Sequence, residues 1–212
     1  MAFSNLLTYW YLQNKRELPW RKSRNPYFIW LSEVMLQQTR VAQGLSYYEK
    51  FTTTFPTVFD LAKADESTVL KMWQGLGYYS RARNLHAAAK HIAYELNGEF
   101  PSSYSEIIKL KGIGDYTASA IASICFNEPT AVVDGNVYRV LSRYFGIHTP
   151  TNSSAGIKEF KALAQSLLDV SQPGNFNQAI MDFGALQCKP QNPLCESCPF
   201  ANSCVEKKKK LT

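Results

Sequence analysis

Apolar residues recur along the chain at intervals of three and four, as in Phe3, Leu6, Leu7 and Trp10, then Val137, Val140, Leu141 and Tyr144, and later Ile157, Phe160, Leu163 and Leu167. That spacing lines one face of a helix, whereas the alternation of a half-buried strand is hard to find. The punctuation agrees: Asn25-Pro26 opens one segment, Asp65 another, Gly75 and Gly77 follow it, and Asn97-Gly98 closes the stretch Ser80 to Leu96. The pattern predicts an all-α chain of about ten short helices.

Length changes the picture in one respect. With 212 residues and 45% hydrophobic content, the chain can bury a substantial core as one domain or as two small ones sharing a cleft, and disorder is excluded. No apolar run approaches the ~18 residues of a membrane span, and Met1 to Lys15 lacks the features of a signal peptide. The expectation is a cytoplasmic protein with no membrane partner. A net charge of +6 favours a polyanionic partner but decides little alone. Lys207 to Lys210 forms a short basic run near the end.

Four of the five cysteines, Cys188, Cys195, Cys198 and Cys204, are spaced C-x6-C-x2-C-x5-C. Four thiolates in one short loop suffice to hold a single four-iron cluster, a [4Fe-4S] group. Structural zinc sites show two tight pairs, and only Cys195 and Cys198 form one here, so zinc is the weaker alternative, with a disulfide framework behind it. All four ligand positions being cysteine, the cluster is expected to be structural. It would fix the loop Lys189 to Leu194 and present its charge to a phosphate backbone, or serve as a fold staple only.

The string Leu110-Lys111-Gly112-Ile113-Gly114-Asp115-Tyr116-Thr117 joins two helical segments, Ser103 to Leu110 and Asp115 to Phe126. Gly112 and Gly114 allow the backbone to approach a phosphate at the second helix's N-terminus. Taken alone, a G-x-G is more often an ordinary turn.

Two carboxylates sit in opposite surroundings. Glu33 lies among Ile29, Trp30, Leu31, Val34, Met35 and Leu36, so burial should favour its protonated form. Asp134 follows Ala131-Val132-Val133 and precedes Gly135-Asn136-Val137, the place of an N-cap that stays ionised. Such a pair suits glycosidic cleavage, one member protonating the leaving group while the other balances positive charge on the sugar. Read separately, Glu33 is a surface glutamate and Asp134 merely a cap.

The string Trp30-Leu31-Ser32-Glu33-Val34-Met35-Leu36-Gln37-Gln38-Thr39 resembles the catalytic-helix motif of the MutY-type adenine DNA glycosylases, within the helix-hairpin-helix glycosylase superfamily that includes endonuclease III. Gly75-Leu76-Gly77-Tyr78-Tyr79-Ser80-Arg81-Ala82-Arg83-Asn84-Leu85, the glycine hairpin, Val133-Asp134-Gly135-Asn136-Val137-Tyr138-Arg139-Val140 and the cysteines agree in order. The resemblance implies a six-helix barrel domain at 20–130, an iron-sulfur cluster domain at 1–19 and 131–212, and an active site in the cleft between them.

It also implies base excision repair on double-stranded DNA by a monomeric, nucleoid-associated enzyme that removes adenine mispaired with 8-oxoguanine or guanine. By similarity, Glu33 protonates the adenine, Asp134 stabilises the oxocarbenium-like sugar and Asn136 assists. Tyr116 stands where bifunctional relatives place a Schiff-base lysine, so a monofunctional enzyme is expected, with Tyr116 near the sugar. Gln38 and Tyr78 would wedge into the duplex. Gly112, Gly114 and Arg81 would contact DNA, with Arg83 a further phosphate candidate. Arg16, Trp20, Arg21, Leu36 and Gln178 would line the base pocket.

Family members commonly continue into a domain that reads 8-oxoguanine, and the chain is expected to be the catalytic portion without it. The thymine-mismatch glycosylases of the same superfamily are the runner-up, since they lack that domain and also carry tyrosine at the Tyr116 position. A non-catalytic DNA-damage-binding protein is the alternative from another class, and retention of both Glu33 and Asp134 argues against it.

Overall fold

In the computed structural model, residues 3–209 are described; Lys210, the last of the basic run, lies outside them. The described residues hold twelve α-helices, a short 3-10 turn at Pro19–Arg21 and no strand, as the apolar spacing predicts. Contacts divide the chain into two compact units, one of Met1–Glu17 with Asn127–Thr212 and one of Leu18–Phe126.

Within Leu18–Phe126, α2 (Pro26–Leu36) starts where Asn25 caps it, accepting from Tyr27 N, with Pro26 at the first helical position. Its mean composition is so apolar that Ile29, Trp30, Leu31, Val34 and Met35 are all buried. α3 (Val41–Thr54), α4 (Val58–Lys63), α5 (Glu66–Trp73) and α6 (Ser80–Tyr94) follow, and α4 is opened by a capping box between Thr57 and Asp60. α7 (Tyr104–Ile107) is a single turn, shorter than the apolar pattern from Ser103 to Leu110 suggests, because the chain must reach the glycine turn. α8 (Asp115–Phe126) then packs on α2, burying Thr117 through Ile124.

The core of this unit is aromatic: Phe51 meets Phe55 and Trp73 at 5.6 and 5.7 Å in edge-on geometry. Both Phe51 and Trp73 are fully buried, each side chain stabilising the fold by roughly 1.5–3 kcal/mol.

In the other unit, α1 (Phe3–Asn14) packs on α11 (Pro173–Leu186), with Trp10 edge-on to Phe183 at 4.9 Å. α9 (Gly135–Phe145) lies against α11, α10 (Ser154–Leu167) and the short α12 (Val205–Lys208). α11 buries two polar residues, Asn177 and Asp182, and both are satisfied. Asn177 accepts from Val132 N and donates to Thr130 O, fixing the extended strand of chain that leads to Asp134.

Candidate active site

Asp134 is the N-cap of α9. Its Oδ1 accepts from Val137 N at 2.8 Å and its Oδ2 from Asn136 Nδ2 at 2.8 Å. A carboxylate so held has its orientation set by two donors, one of them at the helix N-terminus. Asn136 is fixed in turn, its Oδ1 accepting from Arg139 Nη2 at 2.8 Å. The same guanidinium donates to Gly184 O at 2.7 Å, to Cys188 O at 2.8 Å and to Gly135 O at 3.2 Å.

One arginine therefore ties the turn bearing Asp134 to the end of α11 and to the first cysteine. Arg139 and Gly184 escaped the sequence reading. The signal for Arg139 was its place three residues after Asn136 on the same helix face. For Gly184 there was none: only the structure reveals that a Cβ there would sit 2.6 Å from Asn136 Cβ.

Glu33, in α2, is half-buried and not sunk in the core as its apolar neighbours suggest, because the helix turns Ile29, Trp30, Val34 and Met35 inward instead. Cys125 on α8 reports its proximity: that thiol is pushed up to about 12, by burial first and then by the charge of Glu33, against a smaller pull from Arg24. Tyr116, also half-buried, is the second residue of α8. Ahead of it, Gly112 adopts φ +80 and a Cβ there would meet Asn84 at 2.6 Å. Gly114 has open space around it and is exposed, as a backbone approached by a ligand needs to be. Asp115 accepts from the Tyr104 hydroxyl at 2.6 Å, bracing the turn.

Gln38 and Tyr78 are both exposed and both have a left-handed backbone, at φ 55 and 48. Arg81 does not reach outward as a phosphate contact should. Its Nη1 donates to the carbonyls of Val34, Met35 and Gln37, and its Nη2 to those of Leu76 and Gly77. Both Nη atoms are thus engaged by backbone, while the buried Nε has no hydrogen-bond partner among the described residues. Arg83 is exposed and only loosely paired with Glu66 at 3.6 Å.

Arg16 pairs with the fully buried Asp182 through Nε at 2.8 Å and through Nη2, so its guanidinium ties the chain after α1 to α11. Gln178 accepts from the Tyr11 hydroxyl at 2.9 Å. Trp20 is buried and edge-on to Tyr48 at 5.1 Å. Arg21 is half-buried, and Leu36 is half-buried over Gly44.

Cys188, Cys195, Cys198 and Cys204 line one pocket with Phe3, Tyr144, Phe183, Leu194 and Phe200. Four cysteines lining one pocket supply the all-thiolate donor set that a four-iron cluster takes. Burial holds the Cys188 thiol above its ordinary range, and Arg143, which donates to its Sγ at 3.6 Å, and Arg139 only partly counter that push. The loop itself is tied down, since Arg143 also donates to Lys189 O and Pro190 O. In the basic run, Lys207 is paired with Glu196 at 2.7 Å and donates to Cys195 O, while Lys208 and Lys209 are exposed.

Comparison with known proteins sets this geometry in context. Residues 31–165 match the HhH-GPD superfamily base excision DNA repair protein family. Residues 188–204 match the iron-sulfur binding domain of endonuclease III, and the chain carries a [4Fe-4S] site at those four cysteines. Adenine DNA glycosylase of Rattus norvegicus is 47% identical over 96% of this chain, which spans 41% of that protein. Adenine DNA glycosylase of Buchnera aphidicola subsp. Baizongia pistaciae is 42% identical over 95% of this chain, which spans 57% of its length. The chain thus spans about half the length of these curated relatives. A solved thermostable thymine-DNA glycosylase superposes with a TM-score of 0.89 at 30% identity, covering 98% of this chain and 95% of its own. A trapped endonuclease III-DNA covalent intermediate superposes with a TM-score of 0.83 at 24% identity, covering 99% and 95%, a likeness of fold.

Proposed function

The chain belongs to the HhH-GPD superfamily of base excision DNA repair proteins, and we propose that it is a monofunctional glycosylase acting on double-stranded DNA, hydrolysing the N-glycosidic bond of adenine mispaired with guanine or 8-oxoguanine. The observation that carries the chemistry is the doubly bonded carboxylate of Asp134, with Asn136 and Val137 N as its donors. The choice of adenine is supported by the names of the curated relatives that match nearly the whole chain.

In this reading Glu33 gives a proton to the departing base, which lowers the barrier to losing a poor anionic leaving group. Asp134 then faces the cation that grows on the sugar and stabilises it electrostatically until water adds. Asn136 holds Asp134 in that orientation. Tyr116 supplies no amine for a Schiff base, so the product is an abasic site and the strand stays intact. Gln38 and Tyr78 fill the space the base vacates, and the exposed turn at Gly112 and Gly114 meets the phosphate backbone. When bound, the cluster supplies structural cross-linking of Cys188–Cys204 and no step of the hydrolysis.

A thymine-mismatch reading is kept because the thymine-DNA glycosylase fold superposes over nearly the full chain. Base release from A opposite 8-oxoguanine, A opposite G and T opposite G separates the two. Neutral and alkaline work-up of the same reactions separates base loss from strand cleavage. Release of thymine alone, or strand breaks at neutral pH, would overturn the adenine or the monofunctional part respectively.

A further inference from the structure

Arg81 opens α6 one turn after the exposed Tyr78, and its side chain turns back into its own unit. One guanidinium nitrogen donates to three carbonyls at the C-terminal end of α2, Val34 at 3.0 Å, Met35 at 3.1 Å and Gln37 at 2.6 Å. The other donates to Leu76 at 3.2 Å, Gly77 at 3.3 Å and, at the limit, Thr39 Oγ1 at 3.5 Å. These carbonyls belong to a helix end and a glycine turn, where the backbone itself leaves acceptors unserved; besides Arg81, Gln37 O takes a side-chain donor from Thr39 Oγ1 and Gly77 O one from Trp73 Nε1. The guanidinium carbon lies 5.3 Å from the Trp73 ring and 5.6 Å from that of Tyr78. Trp73 Nε1 completes the bracket by donating to Gly77 O at 3.1 Å.

What the bracket holds is unusual. Gln38 follows the α2 end by two residues and Tyr78 follows Gly77, and both adopt the left-handed backbone that side-chain-bearing residues seldom tolerate. Tyr78 is 64% exposed, so no burial of its ring explains its fixed placement. Strain of this kind persists only where the surroundings over-determine it.

We propose that Arg81 is a positioning residue that binds the Gln38 turn and the Tyr78 turn into one rigid two-pronged wedge for the DNA duplex. The proposal rests on the DNA-glycosylase reading above and adds to it how the two exposed side chains are kept ready. Preorganisation matters because a wedge that must first order itself loses part of its binding free energy to that ordering. A lysine at this position keeps the charge but cannot serve both turns at once.

The test uses the full chain and a duplex with 2-aminopurine beside an A opposite G mispair, whose fluorescence rises when its neighbour unstacks. Arg81→Lys and Tyr78→Leu are each expected to bind the duplex but to lose most of that rise. Both should release base from the paired substrate about tenfold more slowly, the equivalent of about 1.4 kcal/mol. Adenine opposite an abasic site, already poorly stacked, should suffer much less. The double variant should be no worse than either single one, as for residues acting through one contact.

Equal losses on both substrates, or additive losses in the double variant, overturn the proposal and leave Arg81 as a support for α2 alone. If Arg81→Lys fails to fold, Arg81→Gln, whose single amide can reach only one of the two turns, decides: undiminished unstacking overturns the proposal. If the unsubstituted protein unstacks the reporter yet releases thymine and not adenine, the adenine reading falls while the role of Arg81 stands.

Discussion

Asn136 donates its side-chain amide to Asp134 Oδ2 while Val137 N serves Oδ1, so both carboxylate oxygens are engaged at 2.8 Å. The two bonds have separable jobs. Asn is as good an N-cap as Asp, so Asp134→Asn should leave thermal stability within about 1 kcal/mol of the parent. Base release should nevertheless fall by at least about a hundredfold, because the charge that faces the sugar cation is gone. Single-turnover assays beside thermal melts check both halves; a folded, active Asp134→Asn would remove Asp134 from the chemistry.

Gly184 supports this pair from behind. A Cβ there would lie 2.6 Å from Asn136 Cβ and 2.9 Å from its backbone oxygen, and Gly184 O accepts from Arg139. Gly184→Ala should therefore cost about 1–3 kcal/mol through overpacking and should displace Asn136. Base release is expected to fall more than DNA affinity does, which quench kinetics and anisotropy titrations measure separately.

How much of this was legible beforehand depended on whether a residue's role is local. The caps at Asn25 and Asp134, the start of α8 at Asp115 and the helical character throughout follow from neighbours in the sequence, and these stand in the structure. Arg16, Trp20 and Arg81 are different. Each was expected at a base or phosphate, and each is engaged by Asp182, Tyr48 or backbone carbonyls that lie far along the chain. A motif names which side chains recur together; it does not say whether a guanidinium points at a ligand or at the protein. The helix α11 shows the same limit, since Asn177 and Asp182 break its apolar pattern and become intelligible only with Thr130, Val132 and Arg16 in view.

The cysteine site makes a compositional prediction and a functional one. Purified chain should be brown and contain about four irons and no stoichiometric zinc, by metal analysis. Cys198→Ser should reduce iron content and lower the melting temperature. It should also weaken base release more than DNA binding, because Arg139 connects Cys188 O to Asn136 Oδ1. Base release unchanged after loss of the iron would show that this connection carries nothing.

His86 makes the last prediction, on pH. It is buried in α6, and its Nε2 has no hydrogen-bond partner among the described residues. Its pKa is held below the ordinary value by burial first and by the charge of Lys90, against carbonyl bonds to Ala64 and Ala62 and the charge of Glu66. The folded chain therefore keeps a neutral imidazole at a pH where the unfolded chain has begun to take a proton. Stability from this group is fully present above the unfolded value of about 6.5 and is lost as pH falls toward the folded one, by at most about 1.4 kcal/mol per pH unit. His86→Leu removes that proton uptake, so urea midpoints between pH 7 and 5.5 should shift less steeply than in the parent, whatever the variant's absolute stability. Parallel slopes for the two proteins would mean that His86 is free to protonate in the folded state.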